Sequence, residues 1–547
     1  MPEPAGVLDI TSFPRAVAER ALATPDRVFV VEAGGRSVTF AGFAREIEAW
    51  ANGFVSLGVR PGDVICSMRK ATASGLAAWL GAARAGAIDA GVAVSYRGEL
   101  LHGLLAKARV LVIDAECADA IVPLADRLPQ LKAVVVTGDA PPGLAGDAAA
   151  PGRTVITERA LTAGAPVATV LHDPMPWDIG CLTHTSGTTG PAKAVLLPWG
   201  HLYAFATALF DPAELTEDDA FYSPMPMHHV AQRVQSYLMA LVGGRVVVRN
   251  AFSASEYWAD VRRHGCTITN VSVGAKILYG MPRAPDDATV PLRMVLMSPL
   301  IPEYLEFGRR FGLEVRTMFG STEMGLPIVS DQIPPNARTS GRRNTRFPHL
   351  ELRLVDEHDI PVAVGRPGEM IVRSAHPWTL NAGYLGQPDT SFTAWRNGWF
   401  HTGDMMVEDA DGWLYFSDRV KDSIRRRGEN ISSFEVESAL STHPDIAESA
   451  VVGVDSAEWG EQDVLAVIVP RDGATIDPRA VTEFLAGVLP AFMIPRYLRV
   501  VSGLPKSEAT HRIQKSELRE RGIAGGTWDR DADRARLGRT ASMREGP

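Results

Sequence analysis

The sequence predicts an α/β protein in two unequal parts. One is a large N-terminal domain of stacked α/β layers with an antiparallel, barrel-like portion, over residues 10–418. The other is a small α+β C-terminal domain over 419–522. Three observations carry this. Short Val/Ile/Leu-rich runs alternate with helical patterns from the start of the chain, as in layered, largely parallel sheets. Residues 351–373 alternate apolar and polar in period two around a turn, which marks an antiparallel pair. Beyond Asp418–Asp422 the pattern restarts as a shorter α+β unit.

Taken in order, Val28–Glu32 and Ser37–Phe40 read as strands and Ala41–Leu57 as an amphipathic helix. Val64–Met68 is a strand, then a helix follows, then strands Val110–Asp114 and Ala133–Thr137. The apolar stretch Ala71–Val94 is broken by Arg84 and Asp89, so it reads as a buried helix running into a strand, not a membrane span. Pro, Gly and Ala make Asp139–Arg153 a loop. In the second part Phe434–Leu440 and Pro478–Val488 read as helices, and Ile446–Val454 and Val464–Pro470 as strands. The tail, 523–547, is polar and rich in Gly, Arg and Asp, and is expected to be disordered.

Composition narrows the function classes. A chain of 547 residues with 46% hydrophobic side chains supports large cores. A net charge of −9 leaves no electrostatic footprint for nucleic acid. Cys66, Cys117, Cys181 and Cys266 are scattered without a CxxC pair, which fits buried thiols in a cytoplasmic protein, not a disulfide framework. Met1-Pro2-Glu3-Pro4 has no basic region ahead of an apolar core, so no signal peptide is expected.

The chemistry concentrates in residues 183–193, Thr-His-Thr-Ser-Gly-Thr-Thr-Gly-Pro-Ala-Lys. Gly187 and Gly190 let backbone N–H groups approach an anion closely. Thr185, Ser186, Thr188 and Thr189 add hydroxyl donors, and Lys193 adds a compact positive charge. Apolar runs on both sides make this a strand–loop–strand element. The GxxxxGK[ST] spacing is absent, so it is not a Walker loop, and by composition alone it could be a surface loop. Downstream stand Phe319-Gly320-Ser321-Thr322-Glu323, Thr402-Gly403-Asp404, Asp418-Arg419-Val420-Lys421-Asp422 and Arg427-Gly428-Glu429-Asn430-Ile431.

These five blocks, in this order, resemble the adenylate-forming superfamily of acyl-CoA synthetases, luciferases and peptide-synthetase adenylation domains, from about Phe13 to about Arg519. The resemblance implies ATP, Mg²⁺ and CoA as cofactors and co-substrates, with an acyl-adenylate (acyl-AMP) between two half-reactions. It implies that Thr185–Lys193 holds the β/γ-phosphates, Thr322 touches the α-phosphate and Glu323 carries Mg²⁺. Ser298, Phe319, Gly320, Ser321 and Arg419 join the nucleotide site, and Asp404 accepts the ribose hydroxyls. Without the resemblance Glu323 could be a solvated carboxylate, Asp404 a turn former and Arg419 half of a surface ion pair. Lys421 falls on the hinge about which a mobile C-terminal domain swings, and Gly428 on the pantetheine tunnel. His229, in Pro226-Met-His-His-Val230, matches the acyl-site position. Val273, Gly274, Lys276, Met318 and Met324 are candidate walls of the acyl pocket, and plain core residues equally well.

The C-terminal lysine of the superfamily is missing. Anchoring on Ile513-Gln514-Lys515 puts Arg512 on its position, and Arg512 is the candidate catalytic cation there. Ala194 stands for a glycine, Phe319 for a tyrosine, and Met297-Ser298-Pro299 for a Gly-Ala-Pro-like loop. All four departures touch adenylation, while Asp404, Lys421 and Gly428, needed for thioester formation, are intact. The sequence therefore points to an acyl-CoA ligase whose adenylation is weak or lost, fed with acyl-adenylate by a partner adenylating ligase. The alternatives are a complete ATP-dependent synthetase that tolerates Arg512, and an adenylate-binding protein without turnover. Whether CoA or a carrier-protein pantetheine is the acceptor stays open. Small residues near the pocket (Gly274, Ala275, Gly320, Ser321) leave room for a bulky group, and by resemblance to secondary-metabolite ligases of the superfamily the substrate is expected to be a bulky, secondary-metabolite carboxylic acid. A homodimer is the expectation by analogy, with no nucleic-acid or membrane partner.

Overall fold

The computed structural model describes residues 9–138, 152–164, 171–185, 193–271, 274–419, 424–426, 429–431, 433–455, 462–489, 491, 493–507 and 513–533. Among these the strands form three seven-stranded sheets, one four-stranded sheet and a two-stranded ribbon. The first sheet runs Glu314–Arg316, Met294–Met297, Ile268–Val271, Ala220–Ser223, Arg245–Val248, Val28–Glu32, Ser37–Thr39, parallel except at its last pair. The second runs Thr154–Thr157, Ala133–Thr137, Ala108–Asp114, Val64–Met68, Ile88–Gly91, Ile179–Thr185, Lys193–Pro198, again parallel except at its last pair.

Helices Phe40–Ser56, Ala73–Arg84, Trp199–Leu209 and Val230–Val242 share one core cluster with inward residues of both sheets. Ala73–Arg84 is apolar on nearly every face and buried accordingly, with Thr72 accepting a hydrogen bond from Gly75 N at 3.0 Å as its N-cap. A Cβ at Gly81 would lie 2.5 Å from Trp50 Cβ, so glycine sets the distance between this helix and Phe40–Ser56. Trp79 stacks on Trp199 at 5.5 Å, tying the helix to the one that follows the strand Lys193–Pro198.

The third sheet is antiparallel: Met318–Ser321, Gly325–Val329, Thr339–Arg343, Trp413–Arg419, Phe400–Glu408, Gly368–Ser374, Leu350–Val355. Its first and last strands do not pair with each other, so the barrel-like portion is an open sheet, not a closed barrel. The period-two reading of 351–373 corresponds to the pair Leu350–Val355 and Gly368–Ser374. The small α+β part has Ile446–Asp455, Gln462–Pro470 and Tyr497–Val500 in its sheet. The expected disorder of the tail is corrected at its start. Trp528–Asp529 add a fourth strand against Tyr497 and Leu498, and Arg530 donates to the Ile494 carbonyl at 3.0 Å. Residues 534–547 lie outside the described residues. Among those described, no helix is long and apolar enough to cross a membrane.

Candidate active site

The strands Ile179–Thr185 and Lys193–Pro198 pair antiparallel with Thr185 opposite Lys193, so the Ser/Thr/Gly run connects adjacent strand ends at the edge of the second sheet. Ser186, Gly187, Thr188, Thr189 and Gly190 themselves lie outside the described residues. Residues 382–385 flank the outer strand. Ala382 N donates to Leu196 O, Leu196 N to Gly383 O and Leu385 N to Ala194 O, each at 2.9 Å. The backbone of Ala194 is thus committed to strand pairing, opposite His184 on one side and Leu385 on the other.

Thr322 and Glu323 form the turn between Met318–Ser321 and Gly325–Val329. A Cβ at Gly320 would sit 1.9 Å from the Gly325 carbonyl oxygen, so the hairpin closes only on glycine. The turn is pinned from behind. Asn381 Nδ2 donates to the Glu323 carbonyl at 2.8 Å, and Glu323 N donates to Ser321 Oγ at 3.3 Å. His201, fully buried, has Nε2 at 2.9 Å from the Thr322 carbonyl and Nδ1 at 3.3 Å from the Thr379 carbonyl. A neutral imidazole donates to only one of them, and the shorter contact assigns the proton to Nε2. The phenol of Tyr384 lies beside the Glu323 side chain, and Lys193 Nζ stands 5.0 Å from the centroid of its ring.

Burial pushes His201 down to about 4, against the two carbonyl contacts that favour its charged form. The unfolded chain takes up that proton near the ordinary histidine pKa of about 6.5. The neutral, buried ring therefore stabilises the fold fully above that pH, and this contribution is lost as pH falls from there toward 4. Urea midpoints are expected to drop between pH 7 and pH 5, and to drop less in His201→Asn, which does not titrate and keeps an amide donor for Thr322. An unchanged drop in that variant would acquit His201. Burial also pushes His349 to about 4, so only the difference between the two proteins counts.

The same antiparallel sheet brings up the remaining nucleotide candidates. Asp404, buried, lies opposite Arg419 in the ladder between Phe400–Glu408 and Trp413–Arg419. Phe319 stacks on Phe416 at 5.6 Å. Ser298 follows the strand Met294–Met297 and donates from Oγ to the Met318 carbonyl at 2.8 Å, tying the adenine-side loop to the start of the Thr322–Glu323 hairpin. Lys421, Gly428 and Arg512 lie outside the described residues.

The acyl-pocket candidates divide. His229 accepts from Ala231 N at 3.1 Å and so caps helix Val230–Val242, while Met318 is half-buried with its sulfur 4.0 Å from Asn270 Nδ2. Burial first, then the neighbouring His229, pushes His228 down to about 3. Among the described residues no group of three or more His, Cys, Asp or Glu side chains could hold a metal. Met324 packs into the core of the antiparallel sheet with Ile328 and Leu352 and also borders a small cavity with His201 and Phe347, and Lys276 is exposed. Val273 lies outside the described residues. Gly274 makes room for Phe252, whose ring would meet a Cβ at 2.5 Å, as Gly320 makes room for its own hairpin.

His201, Asn381 and Tyr384 escape a reading by motif. The signal that could have found them is polarity in the wrong place: a histidine inside the apolar run Trp199-Gly-His-Leu-Tyr, and an Asn and Tyr beside Gly383. A cavity of about 520 Å³ opens elsewhere, at the carboxyl ends of Val64–Met68, Ala108–Asp114 and Ala133–Thr137. Its cations face carboxylates, Lys70 to Glu116 at 2.6 Å and Arg69 to Asp114 at 3.6 Å, so its walls are charge-matched. The functional reading stays with the phosphate strand.

Residues 17–385 match the family described as AMP-binding enzyme, and 435–510 match the AMP-binding enzyme C-terminal domain. The chain is 34% identical over 364 residues to sulfoacetate–CoA ligase of Cupriavidus necator, across 66% of this chain and 70% of the relative. It is 34% identical over 345 residues to indoleacetate–CoA ligase of Aromatoleum aromaticum, across 62% and 66%. A probable CoA ligase of Humulus lupulus is 28% identical across 91% of this chain and 94% of its own. ATP-bound MatB from Rhodopseudomonas palustris shares the fold with a TM-score of 0.79 at 24% identity, over 93% of this chain and 99% of that one.

Proposed function

The chain belongs to the AMP-binding enzyme family, and from that premise we propose that it is an acyl-CoA ligase in which thioester formation outweighs adenylation. In the first half-reaction a carboxylate oxygen attacks the α-phosphorus of ATP and pyrophosphate leaves. In the second the sulfur of CoA attacks the acyl carbonyl and AMP leaves. The observation that supports a nucleotide site here is that Lys193 lies over the ring of Tyr384 and Glu323 lies beside its phenol, a cation and a carboxylate of the kinds that a polyphosphate and its metal call for. A Mg²⁺ that keeps most of its shell as water and phosphate oxygens needs one protein carboxylate, and Glu323 fits that donor set. Such an ion would neutralise phosphate charge. The chain's own residues do the placing: His201 and Asn381 fix the turn, Thr322 meets the α-phosphate, Asp404 the ribose, and Phe319 the base.

The bias toward the second half-reaction rests on Arg512, whose planar fork delivers its charge on a different geometry from a lysine ammonium. A partner ligase then supplies the acyl-adenylate, and residues 419–522 move relative to 10–418 between the two steps. CoA ligases among the relatives support the thioester product. With Gly274 and Gly320 explained by packing, the substrate is assigned as a carboxylic acid, and ring acids enter only through the indoleacetate relative.

Two feeds test this across a panel of linear and ring carboxylic acids. One contains acid, ATP, Mg²⁺ and CoA; the other contains the presynthesised acyl-adenylate and CoA. Thioester from the second feed at a rate at least tenfold above the first is expected. Equal rates would make the protein a complete synthetase. Adenylate binding without thioester from either feed would make it a binding protein.

A further inference from the structure

We propose that Tyr384 is the positioning residue of this site, its hydroxyl fixing the Glu323 carboxylate and its ring holding the Lys193 ammonium. The inference rests on the reading of Glu323 and Lys193 given above, and names the device that aligns them.

Tyr384 is well placed to act on both. Its backbone is locked twice: Tyr384 N donates to Ser391 Oγ at 2.9 Å, and its neighbours Ala382, Gly383 and Leu385 bond to the strand that begins at Lys193. Asn381, three residues earlier, holds the Glu323 carbonyl at 2.8 Å. One short segment therefore sets the position of Lys193, the backbone of Glu323 and the side chain of Glu323 together. The side chain is 8% exposed. A phenol is protonated at neutral pH and can serve as a donor.

A carboxylate with two equivalent oxygens is otherwise free to rotate about its terminal torsion. One fixed donor selects an orientation and leaves the other oxygen for a cation, as outer-sphere partners of metal ligands do. On the ring side, Lys193 Nζ at 5.0 Å from the centroid lies within the range of a cation–π contact, which keeps a flexible four-carbon stem pointed at one place. A phosphate arriving between them meets a cation and a metal-bearing carboxylate already in register.

The test uses the full chain with ATP as probe, measured by calorimetry with Mg²⁺ and again in EDTA, together with melting curves. The native protein is expected to bind Mg·ATP more tightly than ATP alone. Tyr384→Phe keeps the ring and removes the donor. It should cut the Mg²⁺-dependent gain about tenfold and leave affinity in EDTA within about twofold. Tyr384→Leu should also weaken binding in EDTA, by about threefold, as Lys193 loses its platform. Tyr384→Phe added to Glu323→Gln should cost no Mg²⁺ response beyond Glu323→Gln alone. A Phe variant with the native Mg²⁺ response, or one that weakens equally with and without metal, would overturn the role of the hydroxyl. A native protein that binds no ATP under either condition would overturn the reading of the site and this inference with it. Native binding with an inert tyrosine would overturn the inference alone.

Discussion

Replacing Arg512 by lysine is expected to raise ATP-dependent pyrophosphate release about a hundredfold, because displacements near 1 Å at a reacting centre change rates on that scale. A lysine ammonium is a compact charge on a flexible stem, able to stand between a carboxylate and an α-phosphate. Guanidinium spreads the same charge over a rigid plane with five donors, which suits bidentate partners better than a crowded in-line attack. Thioester formation from presynthesised acyl-adenylate and CoA should stay within about twofold, since that step draws on other residues. Ala194→Gly is the internal control. The backbone of Ala194 already pairs with both its neighbours, so removing its methyl should leave pyrophosphate release unchanged. A folded Arg512→Lys protein that binds ATP and releases pyrophosphate no faster would clear Arg512 as the lesion. A slower rate would show that the site is adapted to arginine.

Much of this fold is legible in the chain because its patterns are local. Val64–Met68 and Ala133–Thr137 are apolar runs of strand length between turn residues, and a doubly covered parallel sheet needs nothing more from them. The block around Glu323 is legible as a motif, while the hairpin that presents it, closed on Gly320, appears only in the fold. What stays hidden is long-range. Tyr384 is 61 residues from Glu323 and 191 from Lys193 by their numbers in the chain, and only the docking of 382–385 onto the phosphate strand brings them together. His201 carries no motif either; its role follows from the carbonyls of Thr322 and Thr379, and sequence records no carbonyl direction. Gly274 reads from the sequence only as a small residue, and the ring of Phe252 packed against it is visible only once the chain is folded. Trp528–Asp529 show the same limit, since a polar composition does not reveal that an edge strand at Tyr497–Val500 is waiting to be covered.

Replacing Arg233 by methionine is expected to cost about 3–5 kcal/mol of stability, read as a lowered urea midpoint, because it strands a buried carboxylate. Arg233 and Asp89 are exposed by 0% and 1% and are joined by a hydrogen-bonded ion pair. Asp89 also accepts from Ser67, and the guanidinium stacks over Trp79 with its carbon 4.6 Å from the ring centroid. Desolvating both ions is expensive, and their attraction repays it only while both are present. Asp89→Leu alone should therefore cost a similar amount, and Asp89→Leu with Arg233→Met should recover most of the loss, leaving a large coupling in the double-mutant cycle. Asp89 lies on Ile88–Gly91, beside the strand Ile179–Thr185 that leads into the Ser/Thr/Gly run, and Arg233 lies on the helix that His229 caps. Where a side chain at Gly91 would begin, Arg233 Nη2 and His228 Cα already stand, each 2.8 Å away. Breaking the pair should consequently weaken ATP binding as well as stability, whereas the double replacement should restore stability before it restores binding, since methionine makes no hydrogen bond to the Met227 carbonyl that Arg233 Nε reaches at this end of the helix. A single Arg233→Met loss below about 1 kcal/mol would mean that water reaches Asp89, and that the two charges are not the buried unit their geometry describes.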